Sequence, residues 1–202
     1  MLLTILYLIG ITAEAMTGAL SATRRGMDLF GIVLVACATA LGGGSIRDIV
    51  LGHYPLTWIE YPKYIIITSI AAIIAMLFTP IIKRLNILFL TLDAIGLVTF
   101  TIMGCQISLH MGHKPIIVIL SGVITGIFGG IIRDIFCNDI PLVFKQELYA
   151  SISFLSAGCY LCCIYFNLST NMSIVITLIF GLTLRMLAIH YHWKMPKKLN
   201  LK

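Results

Sequence analysis

The sequence predicts an all-α membrane protein of seven transmembrane helices, built as an inverted repeat of three plus three helices with one extra helix. Three observations predict this fold class: an apolar composition, seven long apolar runs, and a second half that repeats the first. Of the 202 residues, 59% are hydrophobic and 11% charged, with a mean hydropathy of +1.03. Soluble domains carry about a quarter charged residues. This composition excludes a water-soluble enzyme, a disordered chain and a nucleic-acid-binding domain.

The seven apolar runs are the predicted helices, because about 20 apolar residues cross the hydrocarbon core of a bilayer. The breaks between them place the helices at about 2–20, 28–52, 63–82, 87–109, 115–137, 146–166 and 172–189. Glycines interrupt the second run (Gly42, Gly43, Gly44) and the fifth (Gly129, Gly130). We expect residues 1–202 to form a single transmembrane domain that ends in a polar cytoplasmic tail at 190–202.

The distribution of basic residues predicts the orientation. If every run crosses, the loops on one side carry ten Lys and Arg residues and those on the other carry two. The ten are Arg24, Arg25, Lys83, Arg84, Lys145, Arg185, Lys194, Lys197, Lys198 and Lys202, and the two are Lys63 and Lys114. Because basic loops stay cytoplasmic, the carboxy terminus is predicted to be cytoplasmic and the amino terminus to be outside.

The chain repeats itself after 86 positions without a gap. The shift superposes glycines, an Ile-Arg-Asp-Ile motif and a proline: Gly10 on Gly96, Gly18 on Gly104, Gly26 on Gly112, Gly43 on Gly129, Gly44 on Gly130, 46–49 on 132–135, and Pro55 on Pro141. Repeat one covers about 1–85 and repeat two about 86–168. Since each holds three helices, the second copy enters the membrane from the opposite face, and the predicted architecture is an inverted repeat.

Six ionisable residues lie within the apolar runs: Glu14, Arg47, Asp48, Asp93, Arg133 and Asp134. An isolated charge at bilayer depth costs at least about 2.5–3.5 kcal/mol, so each should face protein, water or a partner. Adjacent helical residues point in different directions. One hypothesis is therefore that Arg47 pairs with Asp134 and Arg133 with Asp48; the alternative is that they lie at helix ends in water. Glu14 and Asp93 would remain unpaired and give the interior a negative character that favours cations.

The glycine runs predict a transport pathway, because corresponding interrupted helices in two repeats are typical of one. Each glycine weakens a helix by about 1 kcal/mol relative to alanine, and an opened turn must face protein or water. The predicted pore-lining positions are Gly42, Gly43, Gly44, Ser45, Gly129 and Gly130, with the six buried charges beside them. Close helix packing is the alternative function of such glycines, and we favour it for Gly10, Gly18, Gly96 and Gly104.

No cofactor, metal site or catalytic group is predicted. The six cysteines show no metal-ligand spacing with the histidines, and His53, near a helix end, is expected to be solvated. The sequence contains no phosphate-binding loop, zinc-binding helix or nucleophile–base–acid grouping. It also lacks the Thr-Val-Gly-Tyr-Gly filter of potassium-selective channels, so any discrimination between K⁺ and Na⁺ should be weak.

The segments 26–31 and 40–48, Pro55 and the second motif at 129–134 resemble the bacterial branch of the trimeric intracellular cation (TRIC) channels. That branch overlaps a family also described as glycine transporters. The resemblance covers nearly the whole chain. It implies a seven-helix protomer in a homotrimer, a separate pore in each protomer lined by the glycine-kinked second and fifth helices, and passage of K⁺ and Na⁺.

The resemblance also implies a bacterial inner-membrane location, with membrane lipid as a partner. Two departures stand out. Phe128 occupies the position that corresponds to Gly42, which predicts a milder break in the second repeat, and the lipid-binding Lys-Glu-Val motif of the animal members is absent after Gly130. The alternative function is a carrier for glycine or another small zwitterion, in which half-helix amino termini bind the carboxylate and Asp93 binds the ammonium.

Overall fold

The computed structural model describes residues 2–79, 85–145, 148–191 and 193. Within these ranges the chain forms nine α-helices and no strand. They are α1 (Leu2–Arg24), α2 (Leu29–Leu51), α3 (Thr57–Glu60), α4 (Lys63–Phe78), α5 (Leu85–His110), α6 (Pro115–Phe136), α7 (Leu142–Lys145), α8 (Tyr149–Tyr165) and α9 (Thr170–His190). The predicted all-α class is confirmed, and a long helix lies at each of the seven predicted runs.

Five of these helices, α1, α2, α5, α6 and α9, are long and apolar enough to cross a membrane. Helices α4 and α8 are also apolar but have only 16 and 17 residues. The chain is therefore a polytopic membrane protein. That α4 and α8 also cross, which would make seven spans, stays a prediction.

The helix ends follow local chemistry. Asp28 caps α2, because its Oδ1 accepts the backbone N–H of Gly31 at 2.8 Å. Glycine ends the same helix at Gly52, whose φ of +69° is the left-handed conformation that glycine adopts without strain. The position 86 residues later, Asn138, also has a positive φ, of +53°. Gly26 and Gly112 form a second such pair, with φ of +69° and +76°.

Two helix boundaries differ from the prediction. Helix α4 ends at Phe78 instead of residue 82, and α8 begins at Tyr149 instead of residue 146, after the short α7. The apolar pattern missed α7 because a single turn is too short to show a periodicity. The predicted tail at 190–202 and the basic residues assigned to positions 83, 84, 194, 197, 198 and 202 lie largely or wholly outside the described residues.

Helices α1, α2, α5 and α6 form the centre of the bundle, with α2 packed on α6 and α1 on both α2 and α5. Helix α4 packs on α1 and α2, whereas α8 packs on α5 and α6. Helix α9 lies against α5 and α8. The apolar core falls into two clusters, one around Ile11, Ala36 and Ala72 and the other around Val98, Ile102 and Tyr160.

Candidate functional site

Both glycine runs lie inside continuous α-helix, so the predicted interruptions of α2 and α6 are wrong. The glycines instead allow the two helices to touch. A Cβ built on Gly129 would lie 2.5 Å from the carbonyl oxygen of Thr39, and one on Gly43 would collide with the carbonyl oxygen of Thr125. The two contacts are equivalent in the repeat, because Gly129 lies 86 positions after Gly43 and Thr125 lies 86 positions after Thr39. Both helices stay continuous at this crossing. Glycine has no side chain, so the backbone of one helix can approach the other closely.

The other glycines of the two runs lie close to side chains. A Cβ on Gly42 would meet Ile132 Cδ1 at 2.5 Å, and one on Gly44 would lie 3.5 Å from Arg47 Nη2. The same distance, 3.5 Å, separates a Cβ on Gly130 from Arg133 Nη2.

Ser45, the remaining predicted pore-lining residue, donates its hydroxyl hydrogen to the Leu41 carbonyl at 2.8 Å. It accepts a hydrogen bond from Trp58 Nε1 at 3.1 Å. This bond ties the carboxy-terminal half of α2 to the short α3.

The first-half cluster consists of Arg47, Asp48, His53 and Thr57. Arg47 Nε and Nη2 donate to Asp48 Oδ1 at 2.9 and 2.7 Å, and both side chains are buried. Asp48 Oδ2 accepts the backbone N–H of Thr57 at 3.3 Å and its hydroxyl hydrogen at 3.1 Å. His53 Nδ1 lies 3.1 Å from Asp48 Oδ1, although sequence reasoning placed this histidine in solvent.

The second-half cluster is named after the repeat that holds its central residue, Arg133. It consists of Glu14, Asp93, Arg133, Asp134 and Arg185, with Thr17 and Tyr149 bound to it. Arg133 is its centre. Its Nε donates to Asp134 Oδ1 at 2.8 Å and its Nη1 to Asp93 Oδ1 at 2.8 Å. Glu14 Oε2 lies 3.9 Å from the same Nη1.

Two hydroxyl groups complete the second-half cluster. Thr17 Oγ1 accepts from Arg133 Nη1 at 3.2 Å and donates to Glu14 Oε2 at 3.0 Å. The Tyr149 hydroxyl donates to Asp93 Oδ1 at 3.2 Å. The structure therefore brings three of the predicted acids onto one guanidinium, and the expectation that Asp93 is unpaired is wrong.

Arg47 and Arg133 each pair with the aspartate that follows in the sequence, so the predicted cross-pairs between the halves are wrong. Adjacent Cα–Cβ bonds do diverge on a helix, but an arginine side chain is long enough to fold back onto its neighbour. The second carboxylate oxygen of each aspartate accepts a backbone N–H from the following loop or helix, Thr57 for Asp48 and Leu142 for Asp134. These bonds hold each aspartate at the end of its own helix.

Arg185 is the buried charged residue that sequence reasoning missed. It was counted among the basic loop residues, whereas it lies inside α9, is 2% exposed, and places Nη2 3.8 Å from Asp93 Oδ2. Its Cζ also lies 4.6 Å from the centre of the Tyr149 ring. The signal was available, because Arg185 precedes the end of the predicted seventh run by four residues.

Buried acidic side chains outnumber buried arginines. Among the described residues, four buried acids (Glu14, Asp48, Asp93, Asp134) face three buried arginines (Arg47, Arg133, Arg185). The first-half cluster pairs one acid, Asp48, with one arginine, Arg47, so the additional acidic side chain belongs to the second-half cluster. A protein interior with this charge attracts cations.

A cavity of about 330 Å³ lies beside the second-half cluster. Its lining includes Arg24, Arg25, Lys145, Phe89 and Asp134. Arg25 forms an ion pair with Asp139 at its rim, where both side chains are exposed. Asp134 therefore connects this cavity with the buried Arg133.

Comparison with known proteins identifies the family. The family model described as glycine transporter matches residues 4–80 and 90–165. The Rhodobacter sphaeroides orthologue of the TRIC trimeric intracellular cation channel shares the fold with a TM-score of 0.91 at 31% sequence identity, over 95% of this chain and 99% of that chain. This chain belongs to the bacterial TRIC family. As a TRIC family member it is a membrane protein of a channel family and not an enzyme.

Other relatives agree with this assignment. A prokaryotic TRIC channel solved in 0.5 M KCl is 32% identical, with a TM-score of 0.90 over 96% of this chain and 99% of that chain. The UPF0126 inner membrane protein YadS of Escherichia coli is 31% identical over 97% of this chain and 96% of its own length. A UPF0126 membrane protein of Vibrio cholerae is 36% identical over 96% of this chain and 82% of its own length.

Proposed function

We propose that this TRIC family member is a monovalent cation channel that passes K⁺ with weak discrimination against Na⁺. The observation that carries the proposal is that buried acids outnumber buried arginines between apolar helices. Three of the four buried acids lie around Arg133. Charged groups inside a membrane protein mark ion pathways, because lipid cannot solvate them. The related solved structures are those of cation channels, which supports the same conclusion.

The proposed pore lies within one protomer and is lined by α2 and α6, beside the close contact that Gly43 makes with Gly129. It begins at the cavity beside Asp134, passes the second-half cluster, follows the glycine positions 42–44 and 129–130 with Ser45, and ends at the first-half cluster near His53. The absence of glycine side chains leaves room beside Arg47 and Arg133, whose Nη2 atoms each lie 3.5 Å from the Cβ position of Gly44 and of Gly130, respectively. Weak K⁺/Na⁺ discrimination is expected because the sequence has no carbonyl-filter motif.

The proposed architecture is an inverted repeat with repeat one at 1–85, repeat two at 86–168 and an added helix at 172–189. The reciprocal contacts of Gly43 with Thr125 and of Gly129 with Thr39 support it, because exchanging the two halves exchanges the two contacts. The proposed assembly is a homotrimer in membrane lipid, as in the trimeric Rhodobacter relative. Native mass measurement of the detergent-solubilised protein tests the trimer, and a monomer or dimer would contradict it.

The proposed location is the bacterial inner membrane, with the amino terminus outside and the carboxy terminus cytoplasmic. With Arg185 buried, nine basic residues remain on the predicted cytoplasmic side against two on the other. Arg24, Arg25 and Lys145, all on the predicted cytoplasmic side, line a single cavity, which supports this orientation. In a cysteine-free background, an impermeant thiol reagent applied to intact cells should label Lys114→Cys and leave Arg25→Cys unlabelled, and the reverse pattern would overturn the orientation.

Planar bilayers test the channel. We expect unitary currents in KCl, a reversal potential near that of K⁺ in a KCl gradient, and only a small shift when Na⁺ replaces K⁺ on one side. Currents that follow Cl⁻, or a purified trimer without current steps, would contradict the proposal. The experiment should include protein in which Asp93 is replaced by asparagine, so that any selectivity can be traced to the second-half cluster.

A glycine carrier is the second candidate, favoured by the description of the matching family model. Its predicted carboxylate site relied on half-helix amino termini at broken helices. Helices α2 and α6 are continuous, which removes those termini from the described part of the chain. Saturable uptake of radiolabelled glycine into proteoliposomes, without unitary currents, would favour the carrier.

A further inference from the structure

We infer that the side chain of Phe89 is the barrier between the basic cavity and the second-half cluster, and that ions pass this point only when the ring moves aside. The inference rests on the proposed channel function and adds to it a residue that controls access to the charged interior. Phe89 lies one turn inside α5 and is 9% exposed.

Phe89 touches both compartments. Its ring lines the cavity, and the Cζ atom of Arg24, a second cavity residue, lies 5.5 Å from the ring centre. The Cζ atom of Arg133 lies 4.7 Å from the same centre, although Arg133 is fully buried and is not part of the cavity lining. The ring therefore contacts both an exposed guanidinium, that of Arg24, and a buried one, that of Arg133.

The cluster behind the ring is incompletely hydrogen-bonded. Arg133 Nη2 and Glu14 Oε1 are buried and have no hydrogen-bond partner among the described residues. Such groups carry a desolvation cost that water would remove. An apolar side chain between these groups and the cavity therefore opposes the entry of water and ions, as hydrophobic constrictions commonly do in closed pores.

The two halves differ at this point. The residue 86 positions before Phe89 is Leu3, which packs in the apolar core and does not border the first-half cluster through any described contact. In the first half, His53 is partly exposed and contacts Asp48 directly. In the second half, only Asp134 reaches the cavity, with 8% of its side chain exposed. A cation in the cavity thus meets Asp134 first and the ring of Phe89 next.

Single-channel recording of Phe89→Ala tests the barrier. We expect the open probability in KCl to rise by about tenfold, the factor that corresponds to loss of a partly desolvated cation–π contact. The matched control is Ile102→Ala, a buried side chain of the same helix about 20 Å farther along. It should gate like the unmodified protein. If Phe89→Ala does not fold, Phe89→Leu takes its place, since it keeps apolar contact and loses the ring.

A chemical readout separates the barrier from the channel function. In a cysteine-free background, Thr17→Cys places a thiol beside Arg133, behind the ring. A small hydrophilic thiol reagent should leave it unmodified when Phe89 is present and modify it at least about tenfold faster with Phe89→Ala. Thr177→Cys, a buried position on α9, is the control that should stay unmodified in both backgrounds.

The outcomes are distinct. If modification of Thr17→Cys depends on Phe89 but the protein carries no current, the barrier is supported and the channel function is overturned. Normal currents with neither a change in open probability nor a change in Thr17→Cys modification overturn the barrier and leave the channel standing. Equal modification of Thr177→Cys and Thr17→Cys would mean that the whole bundle had loosened, which also overturns the barrier.

Discussion

Replacing Gly129 with alanine tests whether the α2–α6 crossing is a tight packing contact. The added Cβ would lie 2.5 Å from the Thr39 carbonyl oxygen, where ordinary contacts begin at 3.4 Å, a shortfall of 0.9 Å. A backbone oxygen cannot rotate away, so the two helices must separate. Overpacking of this kind costs about 1–3 kcal/mol, and the better helix propensity of alanine returns up to about 1 kcal/mol.

We therefore expect Gly129→Ala to lower the free energy of unfolding by about 1–2 kcal/mol. Gly158→Ala on α8 is the control, because among the described residues no side chain and no atom of another helix lies within 4 Å of its added Cβ. It should gain up to about 1 kcal/mol. Since 1 kcal/mol corresponds to roughly 2–4 °C in a chain of this size, the melting temperatures in detergent should move in opposite directions. Gly129→Ala stabilising the protein as much as Gly158→Ala would refute the close contact.

Three further predictions concern the charges. Arg133→Ala should lower the free energy of unfolding by about 3–5 kcal/mol because it leaves buried acids uncompensated. Arg25→Ala should lower it by about 0–1 kcal/mol because its ion pair is exposed. Thermal unfolding compares the two variants, and equal losses of stability would contradict the assignment. Asp93→Asn should move the reversal potential in a KCl gradient towards zero while Glu60→Gln at an exposed position leaves it unchanged, and a shift from Glu60→Gln alone would point to a surface effect. Arg185→Gln should lower the melting temperature less than Arg133→Ala, because its ion pair with Asp93 is longer, 3.8 Å against 2.8 Å; a larger loss would reverse that order.

Much of the fold was predictable because lipid imposes a simple rule on sequence. Long apolar runs became long helices, and Asp28 and Gly52, placed at the ends of the second run, are the N-cap and the C-cap of α2. The glycines were located correctly, but their structural effect was not. The sequence shows that glycines weaken a helix, but it does not show which helix packs against them. The contact between Gly129 and Thr39 is therefore visible only in the structure.

The site was predicted as a set of residues but not as a set of bonds. The cost of a charge in lipid identified Asp93, Arg133 and Asp134 without knowledge of their positions. Their pairing depends on how an arginine side chain folds and on which loop amide reaches a carboxylate, as Leu142 does for Asp134. Neither has a sequence pattern. Arg185 was misassigned because it lies near a helix end, where a basic residue usually faces solvent.

The position of Arg185 has a consequence for biosynthesis. Asp93 and Arg133 are translated and inserted well before α9, which supplies the second guanidinium near Asp93. During that interval the growing chain holds more buried acid than base, and an aspartate within a membrane-spanning helix costs up to about 2.5–3.5 kcal/mol on insertion. Helix α9 thus completes the polar interior, and a nascent chain released before α9 is made would lack the second guanidinium near Asp93.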